Sequence, residues 1–203
     1  MDYTNKYTQM QLNQYNGLAG AWSEQDRDWV VGSFDAHNNW ADYENLFKDF
    51  QNKSEMIGLD FGCGPGRNLV RYKDTFKRLD GVDISPVNIE KARGYTNNNG
   101  VNCELYVNNG VDLSVIESDK YDFVMSVIAL QHICVHDIRY SIMKDMYRVL
   151  KQGGAIAIQM GFGSPSPRTV GYYDNHYDAT ETNRVCDVCI ESTEQLEKDL
   201  IEL

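Results

Sequence analysis

Met56-Ile57-Gly58-Leu59-Asp60-Phe61-Gly62-Cys63-Gly64-Pro65-Gly66-Arg67 is the stretch whose reading decides the fold. A short apolar run closes on an acid, glycine then alternates with one other residue, and a polar segment follows. That order reads as a buried parallel strand, a tight turn and the start of a helix. Gly62, Gly64 and Gly66 lack a Cβ, so they can take φ > 0 and let a ligand lie against the main chain. A helix entered near Arg67 would aim unpaired N–H groups and a positive dipole end at that ligand, which suits a carboxylate or phosphate. The dinucleotide fingerprint G-x-G-x-x-G would put its third glycine on Arg67, where a long cationic side chain crowds the helix–strand contact. The run here is G-x-G-x-G, led by Asp60.

The rest of the chain is read outward from this loop. Its 203 residues suffice to bury a useful core and are read as a single domain, 1–203. A net charge of −11 argues against a nucleic-acid surface, because phosphate affinity comes from clustered Lys and Arg. No apolar run is long enough to cross a bilayer, and Met1 to Lys6 lacks the basic and apolar regions of a signal peptide. Five cysteines, odd in number and irregular in spacing, do not make a disulfide framework. Cys63 and Cys103 sit in or beside apolar runs and are read as reduced. Together these features describe a soluble cytoplasmic protein with no membrane or nucleic-acid partner.

Residues 1–40, rich in Tyr, Asn, Gln and Trp, show no clean period. They are read as an N-terminal extension or as a lid in which Tyr7, Tyr15, Trp22 and Trp29 close over a pocket. Trp40, Tyr43, Leu46, Phe47 and Phe50 recur at helical spacing, and Asn52-Lys53-Ser54 breaks that helix. Downstream, Leu69, Val70 and Tyr72 begin a helix and Arg78 to Asp83 forms a second strand. Asp83 lies about twenty residues past the glycines, where a doubly wound fold places a carboxylate for ribose hydroxyls. Ser85 supplies an N-cap and Pro86 an N1 proline for the helix Val87 to Tyr95, which leaves Asp83 free for that work. Asn102 to Val107 reads as a third strand, Tyr121 to Val127 as a buried fourth. Asp137 opens a helix with Ile138, Ile142, Met146 and Val149 on one face, ended by Gly153-Gly154, and Ala155 to Met160 is the fifth strand.

Strands and helices in this alternation predict an α/β fold: a Rossmann-like, doubly wound, mostly parallel sheet with helices on both faces. Ligands in such sheets bind outside the carboxyl ends of the strands. Asp60 to Gly66, Asp83, Asn109 to Val111 and Ser126 to His132 all fall at those ends.

Over residues 56–160 the chain resembles the small-molecule type of class I S-adenosylmethionine-dependent methyltransferase. The resemblance is carried by the glycine run, Gly81-Val82-Asp83-Ile84-Ser85-Pro86, Tyr121-Asp122-Phe123-Val124 with Leu130-Gln131-His132-Ile133 after it, and Leu150-Lys151-Gln152-Gly153-Gly154. It implies S-adenosylmethionine as cofactor, with S-adenosylhomocysteine as product. It implies that Asp60 and the loop of Gly62, Cys63, Gly64 and Gly66 hold the methionine moiety and that Asp83 holds the ribose. Ile84 and Val111 would sandwich the adenine, with Asn109 and Gly110 at its edge and Ser126 and Gln131 nearby. The acid the family often places at the adenine edge falls on Gly110, so that contact passes to Asn109 or Asp112.

Residues 161–191 turn irregular and are read as an acceptor-side loop over the crevice. Cys186-Asp187-Val188-Cys189 has C-x-x-C spacing without a second pair, and zinc needs three or four ligands, so no metal is expected. Residues 192–203 open on a capping box, Ser192 and Gln195, and read as a helix. The antiparallel strand hairpin that the family adds after such a helix is missing. Either the sequence is a fragment, or the sheet edge stays short and is covered by another chain, as in a homodimer.

Methyl transfer from a sulfonium is an in-line displacement, which needs alignment and exclusion of water. A hydroxyl acceptor also benefits from a base. His132 after the fourth strand is the first candidate, with His176 and Tyr172 as alternatives. Three functions are weighed: methyl transfer to an O or N of a small acceptor, methyl transfer to protein or RNA, and cofactor binding without turnover.

Overall fold

The computed structural model describes residues 3–21, 41–178 and 187–203. Trp22, Trp29, Trp40 and Cys186 lie outside them. Five strands form the main sheet: β1 (Ile57–Phe61), β2 (Arg78–Asp83), β3 (Leu105–Val107), β4 (Tyr121–Val127) and β5 (Leu150–Gln159). Their order is β3-β2-β1-β4-β5, and every pairing is parallel. The order reverses between β1 and β4, which opens a crevice at their carboxyl ends. The connecting helices are α2 (Arg67–Arg71), α3 (Pro86–Asn98) and α4 (His136–Val149), with α1 (Tyr3–Ala21) ahead of the sheet and α5 (Thr193–Glu202) at the end. Among the described residues no helix is long and apolar enough to cross a membrane.

Strand alternation divides the core between the two faces. Leu59, Phe61, Val82 and Val124 pack with Ile138, Ile142, Met146 and Tyr7. Phe123, Met125 and Val127 pack with Leu69, Tyr72, Phe76 and Phe47. Phe47 belongs to a 3₁₀ turn, Ala41–Phe47, rather than to the α-helix that the spacing suggests. α3 starts as the sequence indicates, with Pro86 at N1 and the Ser85 side chain accepting the Asn88 N–H at 3.1 Å.

Three expectations need correction. β3 is only three residues long, because Asn102 to Glu104 stay outside the ladder apart from single bonds such as Gly81 N–H to Glu104 O. Gly153 and Gly154 do not end α4; the helix stops at Val149 and both glycines lie inside β5. Residues 161–191 are not simply a loop: β6 (Gly161–Phe162), β7 (Thr169–Gly171) and β8 (Asp187–Ile190) form a second parallel sheet of order β6-β8-β7. Short segments buried against Cys134, Tyr172 and Val188 pair here because their backbone groups leave water together. The capping box at α5 is also incomplete. The Ser192 side chain makes no cap bond, and Gln195 Oε1 accepts the Glu191 N–H at 2.8 Å instead.

Candidate active site

The glycine loop is pinned by its own amides. Gly62 and Cys63 N–H donate to the Val82 carbonyl at 2.8 and 3.1 Å, and Gly66 N–H donates to Cys63 O at 3.0 Å. Gly64 N–H donates to Asp83 Oδ2 at 2.9 Å. Pro65 has no N–H to offer. These amides are therefore spent inside the protein, against the expectation that they cradle an anionic group, and α2 is a helix of only five residues. Glycine is required at two positions in particular: Gly62 has φ +74° and a Cβ there would lie 2.3 Å from the Ala129 Cβ, while Gly66 has φ +87° and abuts Ala92 of α3.

Asp83 is not free, as its neighbouring cap suggested. Its Oδ1 accepts Ser85 N–H at 2.8 Å and Asn88 Nδ2 at 3.3 Å, while Oδ2 takes the Gly64 amide. Burial pushes this carboxyl up, and those three donors pull it back. With about four lone-pair positions on a carboxylate, Oδ2 keeps room for one more donor. Asp60, at the end of β1, is 1% exposed and its carboxyl is pushed up to about 7 by burial, against the Asn68 hydrogen bond at 3.2 Å.

Asn68, Asn88 and Asn108 share an arrangement that the sequence reading missed. Each is buried and lines the crevice. Each spends its Nδ2 on an acceptor: Asp60, Asp83 and the Asp112 carbonyl. That fixes which end of the amide is oxygen, and each Oδ1 is buried without a partner among the described residues. None of the three carries a motif.

α1 closes one side of this crevice. Tyr7, Gln11 and Tyr15 line it together with Gly62, Gly64, Asp83, Ile84, Gly110 and His132. The Tyr7 hydroxyl accepts Cys134 N–H at 2.7 Å and Gln11 Nε2 at 2.9 Å, and Ser85 Oγ donates to Asn16 Oδ1 at 2.7 Å, so the helix is fastened on both sides. Burial pushes both the Tyr7 and the Tyr15 phenols up, which keeps them neutral. Ile128, the residue after β4, also lines the crevice and holds φ +60°, a conformation costly for a β-branched residue, with its N–H on Gln159 Oε1 at 2.9 Å.

The remaining sequence candidates separate. Cys63, Gly64, Asp83, Ile84, Gly110 and His132 come together at the crevice. Asp60 and Gly66 stand behind its lining, one under Asn68 and one capping α2. Asn109 turns its side chain onto Val111 and Asp112 N–H groups, an Asx turn, and Val111 packs toward the core. Ser126 is fully buried within β4, and Gln131 points its Oε1 into a buried position near Gly161. Tyr172 is 2% exposed, donates to Asp199 Oδ2 at 2.7 Å and is not among the residues that line the crevice; it packs with Cys134, Val188 and Ile190. His176 faces Asp174 at 3.7 Å on the exposed side of the same segment. Neither reaches the crevice. His132 does, and its Nδ1 lies 2.6 Å from Asp187 Oδ1. Among the described residues no cluster of three or more His, Cys, Asp or Glu is placed to hold a metal.

A parallel sheet of this order, with a glycine turn after β1 and a buried acid at the end of β2, is a doubly wound α/β domain, a class of fold that binds ligands in the crevice at the switch point. Residues 59–154 match the family described as a methyltransferase domain. The chain is 35% identical over 113 residues to an uncharacterized methyltransferase of Schizosaccharomyces pombe, covering 53% of this chain and 41% of that one. The crystal structure of the PH0226 protein from Pyrococcus horikoshii OT3 is 30% identical, with a TM-score of 0.51, covering 57% of this chain and 50% of that one. A Haloferax volcanii methyltransferase in complex with the Trm112 activator shares the fold over 93% of this chain and 75% of its own, with a TM-score of 0.63 and 18% identity. Over residues 59–154, somewhat under half of the 203-residue chain, the likeness is to methyltransferase domains, carried on a Rossmann-like parallel sheet. The chain spans half or less of the length of the S. pombe and P. horikoshii proteins.

Proposed function

We propose that the crevice binds S-adenosylmethionine and that the chain transfers its methyl group to an oxygen or nitrogen of a small-molecule acceptor. The observation that carries this reading is the character of the crevice: its loop amides are consumed, while the Asp83 carboxylate lines it and three amide oxygens have no partner among the described residues. Such a site favours a cationic ligand rich in donors. S-adenosylmethionine brings an ammonium, a sulfonium, two ribose hydroxyls and an amino group, and so fits. A pyrophosphate would meet few free N–H groups in the loop and the Asp83 carboxylate.

In this reading Asp83 takes a ribose hydroxyl on the open position of Oδ2, beside the Gly64 amide. The carbonyls of the glycine loop, backed by Asp60 through Asn68, face the ammonium, and Arg67 lies at the carboxylate end. Ile84 and Gly110 flank the base. The bound sulfonium supplies an activated methyl group. α1, tied across by Tyr7 and Asn16, excludes water and orients the acceptor. Among the described residues Cys63, Cys103, Cys134 and Cys189 form no disulfide, which fits a reducing, cytoplasmic setting. The activator complex of the H. volcanii neighbour favours a second reading, in which a partner protein is needed for turnover.

The test is release of S-adenosylhomocysteine during incubation with panels of phenols, carboxylates and amines. Methylation of a small acceptor by the isolated chain supports the reading. Cofactor binding with no turnover of any panel member rejects it in favour of a partner-dependent enzyme or a binding protein.

A further inference from the structure

β8 has no counterpart in the sequence expectations, yet it delivers a carboxylate to the crevice. Asp187, its first residue, meets His132 in the 3₁₀ turn after β4, Nδ1 to Oδ1 at 2.6 Å. The backbone of His132 is held as well, its carbonyl accepting Gln11 Nε2 from α1 at 3.2 Å. Among the described residues Tyr15 of α1 also stands beside the imidazole, with ring centroids 6.4 Å apart. A carboxylate on Nδ1 fixes the tautomer: Nδ1 carries the proton, and Nε2 presents a lone pair. Nε2 has no protein partner among the described residues, while the ring lines the crevice with Tyr15, Ile133 and Phe61.

We propose that His132 is the general base of the reaction, that Asp187 is its positioning residue, and that the acceptor is a phenol-class hydroxyl. This rests on the methyl-donor reading above. A neutral amine needs no base to attack a methyl group, and an alkyl alcohol holds its proton too tightly for an imidazole to take. A phenol lies between them, and the aromatic and aliphatic wall suits its ring. The acceptor O–H bond breaks with its proton going to Nε2. The acceptor oxygen forms a bond to the methyl carbon as the carbon–sulfur bond breaks, its electron pair staying on sulfur as a neutral thioether. The proton then leaves His132 for solvent.

Imidazole ¹⁵N NMR on the full chain, saturated with S-adenosylhomocysteine, reads the arrangement without turnover. His132 is expected as the Nδ1–H tautomer when neutral, Asp187→Asn is expected to erode that preference, and added phenol is expected to shift Nε2. An Nε2–H tautomer, a tautomer indifferent to Asp187→Asn, or an Nε2 resonance unmoved by phenol overturns the proposal. In turnover, substituted phenols are expected to be methylated and benzylamines not. His132→Gln is expected to lower kcat about 100-fold or more. Asp187→Asn is expected to lower kcat with KM unchanged and to displace the pH profile. Amine methylation that survives His132→Gln overturns the proposal. Calorimetry separates the two levels: failure to bind S-adenosylhomocysteine rejects the methyl-donor reading, whereas binding with the wrong tautomer rejects only the base.

Discussion

Asp83 Oδ2 accepts the Gly64 N–H at 2.9 Å, so the acid that ends β2 and the loop that follows β1 form one unit. Among the described residues no cation pairs with this carboxylate. Peptide and amide dipoles from Gly64, Ser85 and Asn88 hold it, and a ligand hydroxyl would complete the shell. Asp83→Ala strips the partner from two backbone donors at once. We expect cofactor affinity to fall by roughly 1–3 kcal/mol, about 5- to 150-fold, and the free protein to lose stability of similar size. Calorimetry and urea melts measure the two effects. Unchanged affinity in a folded variant removes Asp83 from the site.

Asp60 gives stability a pH dependence with a definite sign. Its carboxyl is raised in the folded chain from 3.8 to about 7, chiefly by burial. The folded state therefore keeps a proton that the unfolded state has lost across that range. The stabilisation is fully present below about pH 4 and lost as pH rises through about 7. At about 1.4 kcal/mol per unit, the whole effect is on the order of 4 kcal/mol. Asp60→Asn should flatten this component, so the variant gains on the wild type between pH 5 and pH 8 in urea melts. Parallel curves across that range contradict the assignment.

The two glycines flanking Cys63 should respond differently to alanine. Gly62→Ala puts a methyl 2.3 Å from the Ala129 Cβ at φ +74°, a clash between two short side chains that the backbone must relieve. A loss of about 2–4 kcal/mol follows from overpacking plus left-handed strain. Gly64→Ala, at φ +53°, meets nothing within 4 Å and should cost about 1 kcal/mol in the free protein. Its methyl would stand in the ligand's space, so affinity rather than stability should suffer. Thermal melts and calorimetry on both variants check the contrast.

Tyr172→Phe tests whether this residue packs or reacts. Its hydroxyl shares Asp199 Oδ2 with His136 Nε2, which lies at 2.8 Å. Removing one of two donors should cost about 1 kcal/mol in a melt. S-adenosylhomocysteine affinity should not change. A selective loss of binding with stability intact would return Tyr172 to the site.

The sheet was legible because its strands are buried on both faces and read as apolar runs; the bounds of β4 match residue for residue. The crevice was legible where strand ends carry unusual residues, as at Gly62 to Gly66 and Asp83. Asn68 and Asn108 were not, because a buried amide looks like any polar residue until its partners are known. Asp187 was hidden for another reason: only pairing between β6, β7 and β8, all short, carries it 55 residues back to His132. Tyr172 and His176 looked catalytic because an irregular, Tyr-rich stretch resembles a binding loop. Docking of Tyr172 against Asp199 and Arg139 instead spends its hydroxyl and its carbonyl in the core.

Paired calorimetric titrations with S-adenosylhomocysteine and with NAD test the central claim most directly, because the two ligands differ in what they ask of the glycine loop. An acceptor-rich crevice predicts micromolar binding of S-adenosylhomocysteine, weakened in Asp83→Ala, and no measurable binding of NAD. Binding of NAD with S-adenosylhomocysteine excluded, or S-adenosylhomocysteine affinity untouched by the loss of Asp83, would contradict it.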